Sequence, residues 1–236
     1  MCKEIILHAT KGVEEGTMKR VSEMLREELP CPRIGVISGP NLALEVARGE
    51  PAATVVASTF SEVTFGGQEI LSTERFRVYS ATDVIGVEWA GTLKNILAIA
   101  GGVIEGLGYN YNTRAAMITR GIAEMLRFGK VYNARPETFY GLSGMGDLIL
   151  TTTGDLSRNK SFGLEIAKGK SPQEILKSKR EVVEGYETTL AAHRVSEKYD
   201  IRTNIFSSVY SVLYENQEPA QVISKLMRLP TRFEID

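Results

Sequence analysis

The stretch RFRVYSATDVIGVEWAGTLKNILAIAGG (75–102) marks a change in the character of the chain. Its first six residues, RFRVYS (75–80), have the composition of a short strand. From about residue 83 to residue 107 the chain is mostly apolar, which predicts a long buried helix. The boundary near residue 81 therefore separates two kinds of secondary structure.

Before this boundary, strand-like runs alternate with helical patterns. The strand-like runs are IILHAT (5–10), RIGVIS (33–38) and ATVVAS (53–58), and the helical patterns are TMKRVSEMLREEL (17–29) and NLALEVARG (41–49). Such alternation is typical of a mostly parallel sheet with helices between its strands. Residues 1–81 are therefore predicted to form an α/β unit.

After the boundary the patterns are helical, and we find no convincing strand. The predicted helices beyond the first cover 112–133, 144–153, 158–168, 185–199, 203–214 and 218–228. We therefore predict an α/β half followed by an all-α half at residues 82–236. A functional cleft is expected between the two halves.

Composition excludes several classes of protein. Hydrophobic residues make up 43% of the 236 residues and charged residues 24%, which is ordinary for a folded globular protein. The 28 Lys and Arg residues are balanced by 29 Asp and Glu residues, so the chain has no overall attraction for nucleic acid or an anionic membrane. Any bound anion must therefore be held by a local cluster of cations.

Disulfide, metal and membrane chemistry are not expected either. Cys2 and Cys31 are too few for a disulfide framework, and neither His8 nor His193 has a second ligand at metal-binding spacing. No stretch reaches the roughly 18 uncharged apolar residues of a membrane span. We expect a soluble, unexported protein with reduced thiols and without a metal ion.

A glycine-rich dinucleotide-binding turn is missing from the α/β half. Such a turn follows a strand as G-x-G-x-x-G and opens a helix whose N-terminus faces a pyrophosphate. The glycines of GGVIEGLG (101–108) and GLSGMG (141–146) lie in or beside helical patterns and follow no strand. We therefore expect part of the α/β domain to lie upstream of Met1.

A polar pair interrupts the apolar helix at Lys94 and Asn95. At helical spacing Gly91, Lys94 and Ala98 share one face, which would leave room for a ligand above the lysine stem. The alternative is a lysine that lies along apolar surface and extends its ammonium group into water. Burial would lower the pKa of Lys94 and make it a proton donor or acceptor near neutral pH.

A second polar group lies in GLSGMGDLILTTTGDLSRNKSFG (141–163). Asp147 opens a helical turn and Thr151 follows on the same face, while Ser157, Arg158 and Asn159 stand at the start of the next helix. An arginine, an amide, a hydroxyl and free backbone N–H groups at a helix start can converge on one phosphate. The alternatives are a carboxylate favoured by the helix dipole and a plain capping serine.

Two turns follow predicted strands, ATKG (9–12) and SGPN (38–41). Ligands of open α/β sheets bind at the carboxyl ends of the strands, so Lys11 is well placed to meet an anion there. A solvated turn would carry the same residues.

Seven blocks of the sequence together resemble bacterial-type NAD(P)-dependent glycerol-3-phosphate dehydrogenases. In order they are ATKG, SGPNLALEVARG, GTLKNILAIAGGVIEGLG, TRGIAEM, GLSGMGDLILTTT, LSRNKSFG and VVEGYETT. The resemblance implies interconversion of dihydroxyacetone phosphate and sn-glycerol 3-phosphate with NAD or NADP, in the cytoplasm, for phospholipid synthesis. It also implies a possible homodimer, with residues 1–81 as the later part of a Rossmann-type domain and residues 82–236 as a helical domain of the 6-phosphogluconate-dehydrogenase type.

The resemblance also assigns roles to residues. Lys94 matches the general acid/base, and Asp147 and Asn95 match residues that position it and the substrate. Further substrate positions are Lys11, Thr151, Ser157, Arg158 and Asn159. Cofactor positions are Lys11, Gly39, Asn41, Ala43, Arg158 and Glu184. Asn41 departs mildly from the family, which often has Ser or Thr at that position.

Two other functions stay open at this point. The missing glycine-rich turn would suit a truncated, non-catalytic relative that acts by association with a partner. A β-hydroxyacid dehydrogenase of the same architecture would have an Asn one helical turn after its lysine. Here Ala98 occupies that position and Asn95 is adjacent to Lys94, which favours glycerol 3-phosphate. The choice between NAD and NADP is open, because the residue that would read the ribose is expected upstream.

Overall fold

The computed structural model describes residues 4–178, 182–231 and 233–234. The α/β half contains strands β1 (Ile6–His8), β2 (Ile34–Ser38), β3 (Ala52–Ala57) and β4 (Phe76–Ala81). The helices between them are α1 (Val21–Glu28), α2 (Ala43–Ala47) and α3 (Ser61–Leu71). The four predicted strands are confirmed, whereas α3 was not predicted.

The four strands form one sheet in the order β1-β2-β3-β4. The pairs β1–β2 and β3–β4 are parallel, as predicted for most of the sheet, but β2–β3 is antiparallel. In this connection α2 has only five residues, and the chain returns beside β2 rather than crossing over to a parallel position.

The second half is helical, and the chain forms no strand after β4 within the residues described. Its helices are α4 (Val84–Gly106), α5 (Tyr111–Val131), α6 (Pro136–Tyr140), α7 (Asp147–Thr153), α8 (Arg158–Ala167), α9 (Pro172–Ser178), α10 (Glu184–Lys198), α11 (Asn204–Tyr214) and α12 (Pro219–Met227). Residues Leu142–Gly146 form a π-helical turn between α6 and α7. The short helices α6 and α9 and the π-helical turn were not predicted. The domain bounds 1–81 and 82–236 stay a prediction.

Helix α4 is the centre of the molecule. Every residue from Gly86 to Ile104 is buried, including the polar residues near its middle. The Asp83 carboxylate caps the helix by accepting from Gly86 N at 2.9 Å, and it also accepts from Thr138 Oγ1 at 2.7 Å. The cap therefore joins the start of α4 to α6.

Two glycines set the distance between α4 and α8. A Cβ atom at Gly102 would overlap the carbonyl oxygen of Lys160, and one at Gly163 would overlap that of Ile99. Because neither position has room for a side chain, the two helices pack backbone to backbone. This close packing brings Asn159, at the start of α8, within hydrogen-bond distance of Asn95 of α4.

Two sequence-based points concern cysteine and membranes. Cys31 is a buried free thiol that donates to the Glu4 carbonyl at 3.0 Å, and Cys2 lies outside the described residues. Across the described ranges, none of the helices combines the length and apolar character that crossing a bilayer requires.

Candidate active site

Three elements bring Lys11, Lys94 and Asp147 together. Lys11 lies in the loop after β1, Lys94 in the middle of α4, and Asp147 at the first position of α7. Lys11 Nζ is 2.5 Å from Asp147 Oδ2, and Lys94 Nζ is 3.1 Å from Asp147 Oδ1. One carboxylate therefore holds two ammonium groups from distant parts of the chain.

Burial distinguishes the two lysines. The Lys94 side chain is 6% exposed and that of Asp147 is 3% exposed, whereas the Lys11 side chain is 23% exposed. Lys94 therefore does not extend into water, and its ammonium group ends on a buried carboxylate. Lys11 lies on the open side of the same carboxylate.

The electrostatic environment lowers the pKa of Lys94. Burial is the largest cause that lowers its pKa, and the charge of Lys11 lowers it further, while Asp147 and Glu184 oppose the change. The result is a pKa of about 8 for Lys94. Both the protonated and the neutral amine are therefore accessible near neutral pH.

The π-helical turn leads directly into Asp147. It begins at Leu142 and ends at Gly146, where the sequence predicted one regular helix over 144–153. Gly144 is required inside it, because a Cβ atom there would overlap the Phe139 carbonyl. Single π-helical turns occur often at functional sites, and this one sets the start of the helix that carries Asp147.

Thr151 lies one turn after Asp147, as predicted, and is buried. Its hydroxyl donates to the carbonyl oxygen of Asp147 at 2.7 Å. The hydroxyl hydrogen is therefore used within α7, and the oxygen keeps only acceptor capacity for a ligand.

A second polar chain runs from Glu184 to α8. Asn95 Nδ2 donates to Glu184 Oε2 at 3.2 Å, and Asn159 Nδ2 donates to Asn95 Oδ1 at 3.0 Å. Asn159 Oδ1 in turn accepts from Gly185 N at 2.9 Å. The amide groups of Asn95 and Asn159 thus fix one another and join α4, α8 and α10.

Arg158 stands at the edge of this chain. Its side chain is 50% exposed, and its Nη2 is 3.7 Å from Glu184 Oε1. Neighbouring Ser157 caps α8 by accepting from Lys160 N at 3.2 Å. This serine therefore has the helix-capping role that was the alternative to phosphate binding. The half-exposed guanidinium group next to a helix start is a suitable arrangement for an anion.

The predicted cofactor positions after β2 lie in the turn that faces the π-helical turn. A Cβ atom at Gly146 would be 3.5 Å from Pro40 Cγ, so the two turns are in contact. Asn41 Nδ2 donates to the Ala53 carbonyl at 2.9 Å and stabilises the turn. Ala43 begins α2 and is exposed.

The charged groups and one buried hydroxyl without a hydrogen-bond partner among the described residues indicate what kind of ligand this site suits. Three cations, Lys11, Lys94 and Arg158, share two carboxylates, Asp147 and Glu184, which leaves one positive charge in excess in a chain whose net charge is −1. Ser38 Oγ, at the end of β2, is buried without a hydrogen-bond partner in the described part of the chain. It lies 3.0 Å from the Cβ position of Gly91, which in turn is 3.7 Å from the Lys11 stem. These groups fit an anionic, polar ligand at this edge of the sheet.

Sequence reasoning missed one buried charged group near the site. Glu88 on α4 accepts from Arg20 and from Ser22 and lies beside His8. The sequence alone could have singled out Glu88, because it is an acidic residue inside an apolar helix. No cluster of three or more His, Cys, Asp or Glu side chains suited to a metal ion occurs among the residues described.

Comparison with known proteins gives two matching family models. The model described as NAD-dependent glycerol-3-phosphate dehydrogenase C-terminus matches residues 83–224. The corresponding N-terminus model matches residues 2–64.

Individual relatives agree with these matches. Glycerol-3-phosphate dehydrogenase [NAD(P)+] of Syntrophotalea carbinolica is 46% identical over 98% of this chain and 71% of its own length. The protein of the same name from Citrifermentans bemidjiense is 46% identical over 94% of this chain and 68% of its own length. A crystal structure of glycerol-3-phosphate dehydrogenase from Coxiella burnetii has a TM-score of 0.90 and 39% identity, and the match covers 97% of this chain and 70% of that one.

Proposed function

This chain belongs to the NAD-dependent glycerol-3-phosphate dehydrogenase family, and from that membership we infer that it interconverts dihydroxyacetone phosphate and sn-glycerol 3-phosphate with NAD or NADP. The reaction is a hydride transfer, and its usual role is to supply phospholipid synthesis. No finding favours a non-catalytic relative or a β-hydroxyacid dehydrogenase.

The pairing of Lys94 with Asp147 beside Lys11 is the observation that supports a mechanism most strongly. A nicotinamide cofactor bound at this site would supply or accept the hydride. During reduction Lys94 Nζ gives its proton to the carbonyl oxygen of dihydroxyacetone phosphate, and in the reverse direction neutral Lys94 takes the hydroxyl proton. A pKa of about 8 allows both directions near neutral pH.

Asp147 and Lys11 assist this proton transfer. Asp147 holds the Lys94 ammonium group at 3.1 Å and so directs it toward one position. Lys11, on the open side of Asp147, presents a positive charge to the developing oxyanion and to the anionic ligand. Asn95 is held by Asn159 and Glu184, and we assign it to orienting the substrate hydroxyls.

The substrate phosphate is assigned to the start of α8. Arg158 can bind two phosphate oxygens with its planar guanidinium group, and the free N–H groups of the first helical turn point in the same direction. Ser157 lies at the same helix start. Asn159 contributes by fixing Asn95, since both ends of its amide are already hydrogen-bonded.

The cofactor is assigned to the edge formed by the loops after β1 and β2. Lys11, Arg158 and Glu184 would lie near its nicotinamide end, and Gly39, Asn41 and Ala43 would border it. No G-x-G-x-x-G turn occurs in the 236 residues, so these positions hold only part of a dinucleotide.

The substrate assignment can be tested by measuring NADH and NADPH oxidation with dihydroxyacetone phosphate. The same assay is run with 3-oxo acids, which a β-hydroxyacid dehydrogenase would reduce. We expect turnover with dihydroxyacetone phosphate alone. Turnover with the 3-oxo acids alone would contradict the proposed substrate.

We further propose that the protein is a cytoplasmic homodimer. Three large apolar side chains, Met227, Leu229 and Phe233, are exposed at or beyond the end of α12, and burial against a second copy would remove them from water. Light scattering should then give twice the 26.0 kDa mass of one chain. A mass of one chain would contradict the dimer.

A further inference from the structure

Both ends of the loop that carries Lys11 contact one carboxylate, that of Glu88. Glu88 of α4 accepts from Ser22 N at 2.8 Å and from Ser22 Oγ at 2.7 Å, and from Arg20 Nη1 at 2.7 Å. Its Oε1 atom is also 3.3 Å from His8 Nε2, a contact without hydrogen-bond geometry. His8 ends β1 and Ser22 lies in the first turn of α1, so Glu88 contacts both ends of the loop and is hydrogen-bonded to the α1 end.

A second attachment lies one helical turn further along α4. Gly12 N, in the residue next to Lys11, donates to Thr92 Oγ1 at 3.0 Å. Between the two attachments the lysine stem passes next to Gly91, since a Cβ atom there would be in ordinary contact with Lys11 Cγ and Cε at 3.7 Å. Glu88 and Thr92 thus hold the loop against the same helix that carries Lys94.

The contacts of Glu88 require a negative charge. Glu88, Ser22 and Arg20 are all buried, so each unpaired polar group would be costly. Burial by itself would raise the pKa of Glu88, but the contacts with His8 and Ser22 and the charge of Arg20 bring it below its ordinary value. The carboxylate is therefore ionised at neutral pH and can accept from all its donors.

We propose that Glu88 is a positioning residue for Lys11: through its bonds to Arg20 and Ser22 and its contact with His8 it holds the Lys11 loop on α4 and so sets the distance between the Lys11 and Lys94 ammonium groups. This assignment rests on the proposed function, in which Lys11 meets the anionic ligand. Thr92 supports the same position through Gly12. Neither side chain has a described contact with Asp147 or Lys94.

The position of Lys11 can be measured without turnover. The rate of acetylation of each lysine by an N-hydroxysuccinimide ester is followed by peptide mass spectrometry in the wild type and in Glu88→Gln. The variant keeps the shape of the side chain but replaces one acceptor oxygen by a donor. We expect Lys11 to react at least about threefold faster, while Lys94 stays slow. Equal acceleration of both lysines, or none at Lys11, would overturn the proposal.

Two further variants distinguish a displaced Lys11 loop from misfolding and from general loosening of the protein. Thr92→Val removes the acceptor for Gly12 N with little change of shape and should also expose Lys11. Glu124→Gln is the matched control, because Glu124 is a buried carboxylate that accepts two backbone N–H groups, from Ile205 and Phe206. Faster labelling of Lys11 in Glu124→Gln would show general loosening and overturn the proposal.

A double-mutant cycle then links position to catalysis. Because a displacement of about 1 Å can cost ~10²-fold in rate, we expect Glu88→Gln to lower kcat/KM for dihydroxyacetone phosphate by roughly 10- to 100-fold. In a Lys11→Met background the same change should cost less than about twofold. An equal loss in both backgrounds would overturn the claim that Glu88 affects catalysis by positioning Lys11. Absence of wild-type turnover would refute the proposed function, and the labelling result would still decide the position of Lys11.

Discussion

Replacing Lys94 by Met separates proton transfer from folding. The methionine side chain fills most of the space of the lysine stem and can occupy the buried, mostly apolar surroundings in α4. Asp147 keeps its contact with Lys11 at 2.5 Å, so the carboxylate is not left unpaired. We therefore expect a folded protein that has lost one proton donor.

The expected loss follows from the role of the amine. Positioned general acid/base groups contribute about 10²–10⁴-fold, which corresponds to roughly 3–5 kcal/mol of transition-state stabilisation. The assay is initial-rate oxidation of NADH with dihydroxyacetone phosphate, with cofactor affinity measured separately by titration. We expect kcat to fall by that factor and cofactor affinity to stay within about threefold, since the proposed role of Lys94 is to exchange a proton with the substrate oxygen.

The pH dependence gives a second readout of the same variant. If Lys94 is the proposed proton donor, reduction should decline as pH rises through about 8, whereas oxidation of glycerol 3-phosphate, which would use the neutral amine, should increase over the same range. Both dependences should disappear in Lys94→Met. Lys160→Met is the matched control, because Lys160 is a buried lysine paired with Glu105 at 3.1 Å. Wild-type kcat in Lys94→Met, or an equal loss in the control, would refute the reasoning.

Three other changes test separate parts of the structure. At saturating cofactor, Arg158→Lys should raise KM for dihydroxyacetone phosphate at least about tenfold but leave any turnover of unphosphorylated dihydroxyacetone unchanged, because lysine cannot bind two phosphate oxygens at once; equal effects on both substrates would contradict the phosphate role. Gly102→Ala should destabilise the protein by about 1–3 kcal/mol or more in urea unfolding, because the new methyl group overlaps Lys160 O, while Gly66→Ala in α3, with 3.6 Å to its nearest neighbour, should change stability by less than about 1 kcal/mol. Burial raises the pKa of Glu124 to about 7, above its ordinary 4.5, so its contribution to stability is complete below pH 4.5 and is lost as pH rises through 7. Glu124→Gln should flatten that part of the stability–pH curve, and an unchanged slope would show that Glu124 is not the responsible group.

Much of the fold was predictable because its signals are local. The long apolar run of α4, the strand-like runs before residue 81 and the polar residues at the starts of α7 and α8 all lie where the sequence indicated. The antiparallel pairing of β2 and β3 was not predictable in this way, since strand direction depends on how the chain returns and not on the composition of the strands. The π-helical turn before Asp147 was missed because helical spacing alone does not distinguish it from a regular helix.

Individual residues of the candidate site could be predicted from the sequence, but their arrangement in space could not. Lys94 was singled out as a polar residue in an apolar helix, and Asp147 as a residue at a helix start. Nothing in the spacing along the chain indicated that Asp147 would bind both Lys94 and Lys11, which are 53 and 136 positions away. Glu88 carried the same kind of signal as Lys94, but its partners His8, Arg20 and Ser22 come from a different part of the chain, so its role emerges only from the folded structure.

Transfer of deuterium tests the central claim most directly, namely that this chain reduces dihydroxyacetone phosphate by hydride transfer with Lys94 as the proton donor. The wild-type chain and Lys94→Met are incubated with dihydroxyacetone phosphate and NADH or NADPH that carries deuterium at both C4 positions of the nicotinamide, and the product is analysed by mass spectrometry. We expect the wild type to give sn-glycerol 3-phosphate with one deuterium at C2, and Lys94→Met to form it about 10²–10⁴-fold more slowly. No deuterated product from the wild type with either cofactor, or an undiminished rate in Lys94→Met, would contradict the claim.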